Sequence, residues 1–186
     1  MRTIDKEKVK EKIAVFWNIM GITSLRVRVS RGTAAVQWAE GNFIDIEYLD
    51  NIYYVDVHKD DLHMFKRWLR ANKIAYVTGT NEELKKMRKQ RPLIMLTPIE
   101  EFSSEIRRGF PTMPLKEFVE WCKGKQPMES ILEYADLKYD LGLGIRCSDE
   151  ETRAIMEKFV MKQRNKEKRK AERLLKMFRE NSEQLG

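Results

Sequence analysis

The sequence predicts an α+β fold. Its first half reads as a helix, antiparallel strands, a second helix and a further strand. Its second half is mostly helical and ends in a long basic helix. Three observations lead there. Ile4, Val9, Ile13, Phe16, Trp17 and Met20 recur at three- and four-residue spacing, which lines one face of a helix. From residue 25 the apolar period becomes two, the period of a half-buried strand. From Thr97 onward Pro98, Pro111, Pro114 and Pro127 divide short helical pieces, and Ser148-x-x-Glu151 has the form of a capping box opening a last helix.

Taken in order, residues 4–20 form the first helix, with Gly21 ending it. Leu25, Val27 and Val29 alternate with Arg26, Arg28 and Ser30 as a strand, and Ala34, Val36 and Trp38 do so as a second strand after a turn at Arg31-Gly32-Thr33. Asp60 is placed to cap a helix over 61–72, whose buried stripe is Leu62, Phe65, Trp68 and Leu69. Residues 73–78 and 93–96 read as short apolar strands, with a helix from Thr80-x-x-Glu83 between them. Helical pieces follow at 99–108, 114–123 and 127–139, and the last helix runs to about residue 182. This divides the chain into a core at 1–97, a helical or irregular region at 98–147 and a C-terminal helix at 148–186.

With 42% hydrophobic residues and 10% aromatics, the chain has the material for a packed core, which excludes a disordered class. No apolar run approaches the roughly 20 residues that span a bilayer, and the N-terminus lacks the apolar segment of a signal peptide. A cytoplasmic, intracellular protein without membrane association is expected, with Cys122 and Cys147 as reduced thiols.

The stretch richest in chemistry is Phe43–Lys59. With Asp50-Asn51 as a two-residue turn, strands 43–49 and 52–58 pair so that Asp45 lies opposite Asp56. Asp45, Glu47, Asp56 and His58 then share one face. Like charges directly opposite destabilise a hairpin. Either a divalent cation such as Mg²⁺ relieves the pair, or Arg26 or Arg28 neutralises it. A zinc site among Asp56, His58, Asp60 and His63 follows no standard ligand spacing.

The order of elements over residues 4–90, with Asp45 and then Asp56 in YYVDVHK, resembles the core of PD-(D/E)XK nucleases. The basic-aromatic helix and the strand after it are also similar to that family's. The resemblance implies Asp45 and Asp56 as Mg²⁺ ligands, and His58 or Lys59 as the group that positions water or stabilises developing charge. In this chain His58 stands where the family has its lysine, and Lys59 follows it. The resemblance thus implies either a Mg²⁺-dependent phosphodiesterase or a nuclease-like fold kept for binding DNA or RNA.

The net charge of +7 is unevenly placed. Residues 58–100 carry 10 basic and 5 acidic side chains, and residues 148–186 carry 11 and 8, while 1–57 are balanced at 8 and 8. Nucleic acid is the commonest partner of such a surplus, with Lys66, Arg67, Arg70, Lys85, Lys86 and Arg88 as its contacts. In the last helix the run Lys162–Lys170 holds no apolar residue and must face solvent or phosphate. Beyond it Leu174, Leu175, Met177 and Phe178 form an apolar clump, expected to meet a second protein or another copy of the chain. The alternative to nucleic-acid binding is therefore a non-enzymatic interaction subunit or inhibitor working through this helix.

Overall fold

The computed structural model describes residues 6–39, 52–78, 92–125, 128–144 and 150–183. They belong to two compact units, Met1–Gly124 and Lys125–Gly186. The fold is α+β, with helices and a mixed sheet. None of the helices described is long and apolar enough to cross a membrane.

The first unit is built on a six-stranded sheet. Its elements in chain order are α1 (Lys6–Ile22), β1 (Val27–Val29), α2 (Arg31–Trp38), β2 (Ile52–His58), α3 (Leu62–Ala71), β3 (Ala75–Thr78), β4 (Leu93–Ile99), β5 (Glu105–Arg107), β6 (Phe110–Thr112) and α4 (Leu115–Cys122). The strand order is β3-β4-β2-β1-β6-β5. β4 lies between β2 and β3 and is parallel to both. β1 runs antiparallel to β2, and β6 parallel to β1. The helical crossover through α3 returns the chain in the same direction, so β2 and β3 run parallel.

Alternation along β2 sorts the core. Val55 and Val57 join Val27, Val29, Ile94 and Leu96 on one face, beneath Phe16 and Met20 of α1 and Phe65 and Leu69 of α3. Phe16, Phe65 and Leu69 are fully buried, each contributing about 1.5–3 kcal/mol by leaving water. Ile52, Tyr54, Ala75, Val77, Leu93 and Met95 form a second cluster.

Several expectations are corrected. Residues 34–38 are helical. In α2 the residues Gly32, Thr33, Ala34, Ala35, Gln37 and Trp38 are all buried, and a helix hidden on several sides by small residues loses the period that would reveal it. Strand β2 forms as expected, and its neighbours among the described residues are β4 and β1. β4 occupies one edge of β2 from Ile52 to His58, and β1 occupies the other from Val55 to Val57. At Tyr54 that second edge is closed by the start of α2, where Ser30 N donates to Tyr54 O (3.0 Å) and Tyr54 N donates to Thr33 Oγ1 (2.7 Å). The cross-strand neighbours of Asp56 are therefore Arg28 and Thr97, in place of the expected Asp45. Residues 43–49 themselves, and the helix expected from Thr80, lie outside the described residues.

Residues 99–108 are not helical. They end β4 and form β5, whose hairpin with β6 turns at Arg108 (φ 52°) and Gly109 (φ 87°), two positive-φ residues as in a type I′ turn. The expected boundary at residue 97 accordingly falls instead after Gly124. The segment beyond 97 is bound into the sheet by Thr112 beside Val29 and by Trp38 Nε1 donating to Met113 O (2.9 Å). Gly21 does not end α1. The helix continues to Ile22.

The second unit contains α5 (Glu129–Tyr139) and α6 (Glu150–Glu183), 34 residues long. At about 1.5 Å per residue α6 extends roughly 51 Å. Its link to α5 is made by Arg153 with buried Glu133 (3.4 Å) and by the Arg164 guanidinium donating to Leu137 O. Val160 is buried on the same side. The expected cap, Ser148, lies outside the described residues.

Candidate functional site

In sheets with parallel strands, ligands gather at the strands' carboxyl ends. Here those ends bring together His58, Lys59 and Asp61 after β2, Glu100 after β4, and Arg26 before β1. Asp56 lies just inside, on the strand itself. Its cross-strand neighbours are Arg28 on β1 and Thr97 on β4. Asp45, expected opposite it, lies outside the described residues.

Both oxygens of Asp56 are engaged. Arg28 Nε donates to Oδ2 at 2.9 Å and Ser30 Oγ donates to Oδ1 at 2.8 Å. Both side chains of the ion pair are about 95% buried. The other end of the Arg28 guanidinium reaches Ser103 O (2.7 Å) and the Glu117 carboxylate (2.7 Å), and Phe102 lies 5.0 Å from it. A Mg²⁺ ligand must turn a carboxylate lone pair toward a wet, open position. Asp56 turns each oxygen toward a protein donor, which disfavours the Mg²⁺ role that the resemblance implies for it, while Asp45, the other implied ligand, lies outside the described residues. Arg28, one of the neutralising residues read from the sequence, is paired with Asp56.

Arg26 organises the neighbouring surface. Its backbone N and Nε both donate to Asp61 Oδ2, at 2.8 and 2.9 Å, and its Nη2 donates to Asp60 Oδ2 at 3.1 Å. The hydrogen bonds from Arg26 hold the Asp61 carboxyl below its ordinary range, and the two carboxylates in turn raise the Arg26 guanidinium. Asp60 is therefore not the helix cap; Asp61 occupies that position, and its side chain serves Arg26. Both ring nitrogens of His58 face donors, Arg26 Nη1 at Nε2 (3.1 Å) and Asp60 N at Nδ1 (3.3 Å). Asp60 Oδ2 also lies 3.4 Å from Nδ1. Lys59 is paired with Glu100, whose carboxyl that hydrogen bond lowers. Of the expected catalytic set, Asp56 pairs with Arg28, His58 meets Arg26 and Lys59 meets Glu100, and Asp45 lies outside the described residues.

The expected nucleic-acid contacts divide likewise. Arg67 and Arg70 are exposed and Lys66 is half-buried on α3. Arg70 Nε donates to the Tyr76 hydroxyl at 2.7 Å. Lys85, Lys86 and Arg88 lie outside the described residues.

The longest basic surface described is on α6. Every side chain described between Met161 and Lys176 is exposed, Gln163 being outside that description. At about 100° per residue, Lys158, Lys162, Lys166, Arg169, Arg173 and Lys176 fall within about 80° of one another. Arg153, Val160 and Arg164, which meet α5, lie on the opposite side. Glu157, Glu167 and Glu172 fall outside the basic stripe. A groove follows it, bordered by Lys158, Lys162, Asn165, Lys166, Arg169 and Arg173 among others. Leu174 and Leu175 are exposed beyond the α5 contact, whereas the side chains of Met177 and Phe178 are not described.

The roles of Arg28 and Ser30 as partners of Asp56 were half-legible, since Arg28 was a candidate neutraliser. Glu117 was missed, because 89 residues separate it from Arg28 and no local pattern joins them. Comparison with protein-family models, with curated proteins and with solved structures gives no match.

Proposed function

We propose that the protein binds nucleic acid through its phosphate backbone, with α6 as the contacting helix and without metal chemistry at Asp56. The supporting observation is the stripe of six basic side chains from Lys158 to Lys176 on the side of α6 turned away from α5. Cations lined up in this way neutralise successive phosphates and release their counterions, which makes affinity steeply salt-dependent. Asp56, bound to Arg28 and Ser30, supports a binding role over a catalytic one.

The test is a titration of labelled DNA and RNA, read by fluorescence anisotropy across a salt series. Six phosphate contacts give a slope of log K against log[salt] of roughly −5 on B-DNA. The triple variant K162Q/R169Q/R173Q should flatten it by about 2.7, with helicity by circular dichroism unchanged. Absence of affinity at low salt, or a slope untouched by the variant, overturns the reading.

A second reading is favoured by Leu174 and Leu175, 46% and 60% exposed. Two adjacent leucines left in water at one end of a long helix suit a protein partner, either another copy of the chain or a second protein.

A further inference from the structure

Resting on the nucleic-acid reading above, we infer that the ligand of α6 is double-stranded DNA, entered from the major groove. Three observations on the helix carry this. From Lys158 to Lys176 the stripe is 18 residues long, about 27 Å on a continuous helix. Six of its long flexible cations fall within about 80° of one another, while Arg164, Lys168 and Lys170 lie off that row, as do Glu157, Glu167 and Glu172. From Lys158 to Lys176 the sequence has a single aromatic residue, Phe159.

Each observation selects among polyanions. Single strands are held by rows of aromatic platforms on which successive bases stack, and one phenylalanine does not make a row. A-form RNA presents a deep, narrow major groove that side chains cannot enter. The major groove of B-DNA is about 12 Å wide and admits an α-helix, whose diameter with side chains is about 10–12 Å. Within that groove a row of Lys and Arg on one face reaches the flanking phosphates. The face opposite the stripe, with Arg153, Val160 and Arg164, belongs to α5, so the helix can present the stripe without giving up its own packing. Asn165 lies beside it, bordering the same groove as Lys162 and Arg169. Its side-chain amide carries both a donor and an acceptor, the pair that reads adenine from the major groove.

The experiment compares full-length protein binding to double-stranded DNA, single-stranded DNA and double-stranded RNA of matched length at one salt concentration. Competition follows with methyl green, a major-groove dye, and netropsin, a minor-groove ligand. Duplex DNA should bind at least tenfold tighter than either alternative and be released by methyl green but not by netropsin. The K162Q/R169Q/R173Q variant should lose this preference. Equal or tighter binding of single strands or duplex RNA overturns the inference and leaves the phosphate-binding reading standing, as does release by netropsin alone. Absence of binding to all three nucleic acids, or binding unaffected by the triple variant, overturns both.

Discussion

Arg28 and Asp56 face each other across the β1–β2 ladder, Nε to Oδ2 at 2.9 Å, with both side chains almost entirely buried. A buried pair of this kind fixes more than it stabilises, because desolvating two ions offsets most of their attraction. Here the guanidinium also holds Ser103 O and Glu117, so one side chain ties the segment after β4 and the first turn of α4 to the sheet. Removing one partner strands the other. Arg28→Ala should cost about 3–5 kcal/mol, while the double change Arg28→Met with Asp56→Leu should recover most of that loss. Urea denaturation of the three proteins checks this. A double variant no better than Arg28→Ala would show that the pair does not act as a unit.

The same engagement bears on metal binding. Millimolar Mg²⁺ should leave the melting temperature of the wild-type protein unchanged, since both Asp56 oxygens already accept protein hydrogen bonds. A Mg²⁺-dependent rise that disappears in Asp56→Asn would place a cation there and revive the phosphodiesterase expectation.

Acid should act on Asp61. Arg26 holds this carboxyl below its ordinary value, and unfolding restores that value, near 3.9. A depressed folded pKa gives stability that is fully present above the unfolded value and is lost as pH falls through the folded one. The contribution of the Arg26–Asp61 pair should therefore be intact at neutral pH and fade below about pH 4. Being largely at the surface, the pair is screened by salt. Asp61→Asn should be less stable than wild type at neutral pH, the two converging in acid. A difference that stays constant from neutral pH down to about pH 2, below the ordinary carboxylate range, would contradict the assignment.

The β5–β6 turn places Arg108 at φ 52° and Gly109 at φ 87°. A Cβ on Gly109 would have nothing within 4 Å, so substitution there is penalised by backbone conformation and not by crowding. Gly109→Ala should cost about 1 kcal/mol, and Arg108→Gly should stabilise by several tenths or more. Thermal denaturation reads both. A neutral Gly109→Ala would mean that the turn relaxes to another type.

On α6 the exposed leucines separate partner surface from core. Leu174→Ser with Leu175→Ser should leave helicity and melting temperature as in the wild type and shift any concentration-dependent mass in sedimentation toward the monomer. Val160→Ser, at a buried position, should instead unfold part of the second unit. Loss of structure in the leucine variant would assign Leu174 and Leu175 to the core.

Sequence alone determined those elements whose apolar period is carried by large residues. The helix through Phe16 and Met20, the helix through Phe65 and Leu69 and the strand from Ile52 to His58 follow from residues whose burial requires those faces. The charge of α6 was legible for the same local reason, since a run without apolar residues cannot be buried. Tertiary structure decided the rest. Ala34, Ala35 and Gly32 carry too little side chain to mark a period, so α2 read as a strand. Strand neighbours were decided by competition for edges. The Asp45–Asp56 pairing was locally sound, but β4 and β1 are already bonded to the two sides of β2. The chemistry of Asp56 turned on Arg28, 28 positions away, and on the burial of both. Hydrogen-bond partners so distant are chosen by the packed sheet, and a carboxylate's role follows from its partners.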